Sequence, residues 1–233
     1  MIKAVIFDFD NTLMDFMRMK RAAVEAAVDA MIDAGLTYKK EEMIDKIYKV
    51  YWKEGIEDQF IFDKVLTNEF GKIDYKVLAS GIIGYRRAKD GTLALYPHVQ
   101  LTLTALARMG LKMAVVSDAP RLPVWLRICG LGLQHYFDAV ITFDDAGFKK
   151  PHVKPFQMAL EKLKVKADEA LMIGDWAERD VVGAKSAGMK VVFARYGDTM
   201  QTQNSGADYE IDDIAQLIQI VQQENQPAVQ PGV

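Results

Sequence analysis

KAVIFDFDNT, residues 3–12, decides how this chain folds. Ala4 to Phe7 are apolar on consecutive positions, with no polar face and too short a run for a helix. That is the pattern of a strand covered on both sides. The run closes on two carboxylates, Asp8 and Asp10. Working outward, the pattern recurs as KMAVVSD (112–118) and ALMIGD (170–175), and more briefly as AVIT (139–142) and KVVFA (190–194). Between these runs, Val99 to Met109, Lys154 to Leu163 and Arg179 to Ala187 carry helical spacing. Strand and helix in alternation predict parallel βαβ units, hence an α/β fold with a doubly wound, Rossmann-like parallel sheet. Gly110 and Gly188 stand where a helix should stop before the next strand.

The segment after the first strand reads differently. Val24, Ala27, Val28, Met31 and Ile32 recur at helical spacing, as do Met43, Ile44, Ile47, Tyr48 and Tyr51. Two further helical segments cover residues 60–70 and 75–85. We therefore expect residues 15–95 to form an all-helical cap inserted into a core of residues 1–14 and 96–222. Residues 223–233, rich in Gln, Pro and Gly, are expected to be a frayed tail.

The chain has 233 residues, half of them hydrophobic, with 29 basic against 32 acidic residues and a net charge of −3. No basic stripe marks a nucleic-acid partner. The N-terminus lacks a signal-peptide pattern, and no apolar stretch approaches the roughly 18 residues of a membrane span. The expectation is a cytoplasmic protein, monomeric or homodimeric, with no membrane or nucleic-acid partner. Its single cysteine, Cys129, excludes an intrachain disulfide and is expected to be a small buried residue. His98, His135 and His152 lack ligand spacing. Trp52 and Trp125 read as packing residues. The basic cluster Arg18, Lys20, Arg21 opens the first helix of the insert; it is either a solvated face or a contact to an anionic substrate, as are Arg86 and Arg87.

In an open parallel sheet, ligands bind beyond the carboxyl ends of the strands. Three strands place polar groups there: Asp8 and Asp10, Ser117 and Asp118, and Asp175. Carboxylates converging on one crevice repel unless a cation joins them, and an oxygen-rich site suits Mg²⁺. A helix cap needs one acidic residue, so the pair Asp8 and Asp10 exceeds that need. Asp118, before Ala119-Pro120, is expected to be an N-cap.

The segment DFDNT (8–12) resembles the first motif of the haloacid dehalogenase superfamily, Asp-x-Asp-x-Thr. Ser117, closing VVS, resembles the second. Lys150, followed by Pro151, resembles the third, and GDWAERD (174–180) resembles the fourth. The resemblance covers residues 1 to about 215, and the insert is similar to that family's first type of cap. It implies an Mg²⁺-dependent phosphatase acting on a small phosphorylated metabolite. Asp8 would be the nucleophile and Asp10 the general acid and base. Ser117 and Lys150 would bind the phosphoryl group. Asp8, Asp175 and the Asp10 backbone carbonyl would hold the metal, with Asp180 and Thr12 supporting. Asp118 and His152 depart from the residues frequent at those places, Asn and Asp. A 2-haloacid dehalogenase, a phosphomutase and a non-catalytic binding protein remain alternatives on the same fold, although a dehalogenase of this family lacks an acid at the position of Asp10.

Overall fold

The computed structural model describes residues 1–226. They fall into two compact units: Met1–Asp15 with the chain from Leu95 onward, and Phe16–Ala94.

The first unit holds a six-stranded parallel sheet. Its strands are β1 (Ala4–Phe7), β2 (Lys112–Val116), β3 (Ala139–Ile141), β4 (Ala170–Gly174), β5 (Lys190–Ala194) and β6 (Tyr209–Ile211), in the spatial order β3-β2-β1-β4-β5-β6. Every residue of β1 and β4 is buried, as the unbroken apolar runs require. The last strand was not legible in the sequence: Tyr209-Glu210-Ile211 is a three-residue edge strand with only Ile211 buried. The strand order reverses between β1 and its two neighbours, β2 and β4. That reversal opens a crevice at the carboxyl end of β1.

In the second unit, α1 (Phe16–Asp33), α2 (Lys40–Glu54), α3 (Ile61–Phe70) and α4 (Tyr75–Gly91) enclose their own apolar core. Lys20 is buried there, its Nζ 2.9 Å from the Tyr85 hydroxyl and 4.3 Å from the centre of the Tyr51 ring. Lys20 is therefore no part of a solvated face, whereas Arg18, Arg21, Arg86 and Arg87 are exposed. At the junctions, Met14 bridges Leu95, and the Tyr96 N–H donates to the Leu13 carbonyl at 3.1 Å.

The remaining helices of the first unit are α5 (Val99–Arg108), α6 (Arg121–Gly130), α7 (Phe143–Ala146), α8 (Lys154–Leu163), α9 (Val182–Ser186) and α10 (Gln216–Glu224). Three sequence expectations fail here. Helix α6 buries only Val124, Arg127 and Ile128, so Cys129 and Trp125 lie exposed. Trp52, on α2, is likewise exposed. The expected tail does not begin at Gln223: α10 runs through Glu224, whose carboxylate accepts from Lys190 at 2.7 Å, and the Asn225 side chain bonds both the N–H and the carbonyl of Ile2. Residues 227–233 of that expected tail lie outside the described residues. No helix among the described residues is long and apolar enough to cross a membrane.

Candidate active site

The crevice is built around the end of β1. The Asp8 N–H still belongs to the sheet, donating to the Ile173 carbonyl of β4 at 2.8 Å. Its side chain, one residue past the apolar run, therefore emerges at the sheet edge at a fixed height. Asp175 follows the last residue of β4, and Ser117 follows the last residue of β2. In the ladders Phe7 pairs with Val115 on one side and Ile173 on the other. Continuing that register by two residues sets Ser117 and Asp175 level with Phe9.

Lys150 reaches this edge from the loop between α7 and α8. Its Nζ donates to Asp8 Oδ1 and, at 2.7 Å, to Asp180 Oδ1. Asp180 comes from a π-type turn, Ala177–Val181, and its carboxylate packs against Gly174, the last residue of β4. The other oxygen, Asp180 Oδ2, accepts the Trp176 N–H at 3.0 Å. Gly174 makes this possible: a Cβ there would sit 2.4 Å from the Asp180 carboxylate. Gly197 serves a similar close approach, since a Cβ there would lie 1.7 Å from the Asn11 carbonyl oxygen. The Thr12 hydroxyl lies 3.2 Å from Asp175 Oδ1 and 3.4 Å from Asp8 Oδ2, and it donates to one of them at a time. Ser117 Oγ accepts the Ala119 N–H at 3.2 Å, which leaves its O–H as the donor.

Asp118 does not cap α6. The helix begins after Pro120, and the Arg121 N–H is taken by Asp144 instead. Asp118 Oδ1 accepts the Lys150 N–H at 2.8 Å, and Oδ2 accepts from Arg179 at 3.2 Å. Arg179 is stacked on the Trp176 ring. The acidic residue after Ser117 thus ties the Lys150 loop to the end of β2. His152 is exposed and stacked on Phe148, and its Nδ1 accepts the Lys154 N–H at 3.2 Å.

Asp8, Ser117, Lys150, Asp175 and Asp180 are all at most 7% exposed, so the electrostatics are those of a poorly hydrated cluster. Burial, then the charge of Asp8, drives the Asp175 pKa well above the ordinary carboxylate value. Burial also raises Asp8, against the pull of Lys150. Asp180 is pushed up by burial to about 6, again against Lys150. Burial alone would lower Lys150, but the carboxylates of Asp180, Asp8 and Asp118 outweigh it and keep the ammonium charged. One cation among three buried acids leaves an excess of negative charge that a second cation would relieve.

Among the described residues, Asp8, Asp175 and Asp180 offer ligand oxygens all within 4.8 Å of one another. A set of hard oxygens suits Mg²⁺. The Asp10 carboxylate is not part of that set. It turns to Arg127 of α6, whose Nη1 lies 2.7 Å from Oδ2 and 3.0 Å from Oδ1. Arg127 is hard to single out in the sequence. Its only signal was a charged residue on the buried stripe that it shares with Val124 and Ile128.

Residues 5–194 match the family described as haloacid dehalogenase-like hydrolase. A glyceraldehyde 3-phosphate phosphatase of Methanocaldococcus jannaschii is 35% identical over 95% of this chain and 97% of that protein. The crystal structure of a phosphatase of the same family from Thermococcus onnurineus superposes with a TM-score of 0.71 at 28% identity, covering 94% of this chain and 98% of that one. YfnB of Bacillus subtilis, crystallised with bound magnesium, shares the fold at a TM-score of 0.70 and 21% identity, over 94% of this chain and 98% of that one. The chain belongs to the haloacid dehalogenase-like hydrolases and is an enzyme of that family.

Proposed function

We propose that this haloacid dehalogenase-like hydrolase is an Mg²⁺-dependent phosphatase of small phosphorylated metabolites, working through an aspartyl-phosphate on Asp8. The observation that carries the reading is the Lys150 ammonium held between Asp8 and Asp180 at the carboxyl end of β1. A buried cation beside a carboxylate nucleophile is what a phosphate dianion needs in order to approach an anionic attacker.

Each residue then has a task. Lys150 and the Ser117 hydroxyl bind phosphoryl oxygens, one as a cation and one as a hydrogen-bond donor. An Asp8 oxygen attacks phosphorus as the bond to the leaving oxygen breaks, and Asp10 gives that oxygen its proton. Asp10 next takes a proton from the water that cleaves the Asp8–phosphorus bond, which frees inorganic phosphate and restores both carboxyl groups. Asp180 and Asp118 keep Lys150 in place through its side chain and its backbone. Asp8, Asp175 and the Asp10 carbonyl would hold Mg²⁺, which offsets the charge on the phosphoryl oxygens. The oxygen donors of Asp8 and Asp175 and the magnesium bound by YfnB support that assignment.

Glyceraldehyde 3-phosphate is the first substrate to test, because several relatives, 31–35% identical over at least 95% of this chain, are named as phosphatases of that ester. Purified protein incubated with it and Mg²⁺ should release inorganic phosphate, and a chelator should stop the release. A panel of other phosphorylated metabolites run in parallel separates the activity from the substrate. Release from none of them, or full release in excess chelator on metal-free protein, would overturn the reading. Metal-independent halide release from a 2-haloacid would replace it with a dehalogenase.

A further inference from the structure

We infer that Arg127 is a positioning residue for Asp10, fixing the carboxyl group that serves the leaving oxygen. The inference rests on the proposed role of Asp10 as proton donor and acceptor, and adds to it the residue through which that role is set.

Arg127 lies on the buried face of α6 between Val124 and Ile128 and is 8% exposed. A guanidinium in such a place is unfavourable unless an anion meets it. The Asp10 carboxylate meets it, although Asp10 lies 117 residues away in the chain. One nitrogen, Nη1, contacts both Asp10 oxygens, at 2.7 and 3.0 Å, so the contact restrains the direction of the side chain and the rotation of its carboxyl plane. The position of Nη1 is in turn set by the site itself. Helix α6 begins four residues after Ser117, the proposed phosphoryl ligand at the end of β2. One strand-loop-helix unit therefore carries the donor to the phosphoryl group at one end and the restraint on the acid at the other.

Proton transfer needs the acid within hydrogen-bond reach of the leaving oxygen. A displacement of about 1 Å can cost on the order of 100-fold in rate. Arg127 would thus act on turnover without touching the substrate. A merely structural ion pair would have the same geometry but a different kinetic signature, because mispositioning an acid matters only where the leaving group needs one.

The test uses the full-length protein with Mg²⁺ on two esters. Glyceraldehyde 3-phosphate has an alkoxide leaving group that needs protonation, and 4-nitrophenyl phosphate does not. For Arg127→Gln, kcat on the alkyl ester should fall about 10- to 100-fold and on the aryl ester less than about threefold, with KM unchanged. Arg127→Lys, which keeps the charge but not the planar fork, should fall between Arg127→Gln and wild type on the alkyl ester, and it decides the matter if the Gln variant does not fold. Asp10→Asn combined with Arg127→Gln should be within about twofold of Asp10→Asn alone, since a restraint has no effect once its target is removed. Equal losses on both esters, a change confined to KM, or losses that multiply in the double variant would overturn the positioning role. Asp10→Asn alone shows which reading has failed. If it discriminates between the esters and Arg127→Gln does not, only the Arg127 inference falls. If Asp10→Asn shows no discrimination, the role of Asp10 falls with it.

Discussion

Lys150 Nζ and Asp180 Oδ1 are 2.7 Å apart in a setting where both side chains are almost fully buried, and the same ammonium also bonds Asp8. Asp180 therefore aims the cation, and Trp176 aims Asp180 from its other side. Asp180→Asn keeps an acceptor for Lys150 but cannot accept the Trp176 N–H at the same time. We expect kcat/KM to fall about tenfold for Asp180→Asn and about 100-fold or more for Asp180→Ala. Steady-state kinetics on any ester the enzyme hydrolyses checks this. Wild-type values for both variants would show that Lys150 needs no such support.

Gly174→Ala should be destabilising despite its small size. The new methyl would sit 2.4 Å from the Asp180 carboxylate, which cannot withdraw without releasing Lys150. Overpacking of this kind costs about 1–3 kcal/mol. The variant should melt several degrees lower, with activity reduced even at temperatures where it is folded. A wild-type melting temperature would mean that the π-type turn relaxes freely.

Magnesium should stabilise the protein more at about pH 7.5 than at about pH 5. Burial and mutual repulsion raise Asp8, Asp175 and Asp180 above the ordinary carboxylate value, Asp180 to about 6. For Asp180, a folded-state pKa of about 6 above the unfolded one means that the folded metal-free protein holds that proton more tightly between roughly pH 4 and pH 6, so the unfolding free energy falls as pH rises through that window, and Asp8 and Asp175 act in the same direction. A divalent cation replaces those protons, and its advantage grows as they leave. Thermal melts with and without Mg²⁺ at both pH values measure the difference. An equal or larger shift at the lower pH would contradict the account.

Much of this was legible because it depends on local pattern. The strands β1, β2 and β4 announce themselves as apolar runs, and the polar residues closing them lie where a parallel sheet binds ligands. What escaped depends on contacts between distant segments. An aspartate before Ala119-Pro120 looks like a helix cap, and only the fold reveals that its partners are Lys150 and Arg179. Arg127 is one arginine among many until α6 is rotated to bury it against Asp10. The same rotation exposes Trp125 and Cys129, whose apolar character suggested burial. Residues 223–226 are polar enough to read as a tail, yet Glu224 and Asn225 bond Lys190 and Ile2.

If Asp8 is the nucleophile, phosphorus passes through its carboxylate on the way from ester to water. The direct measurement is acid quenching of the enzyme during turnover of 4-nitrophenyl phosphate with Mg²⁺, followed by peptide mass spectrometry. The phosphoryl group should be found on the peptide carrying Asp8, on Asp8 itself. Asp10→Asn should hold it longer, because the general base for hydrolysis is gone. Asp8→Asn, checked for deamidation, should carry none and should not turn over. A phosphoryl group on any other residue, or wild-type turnover by Asp8→Asn, would contradict the mechanism.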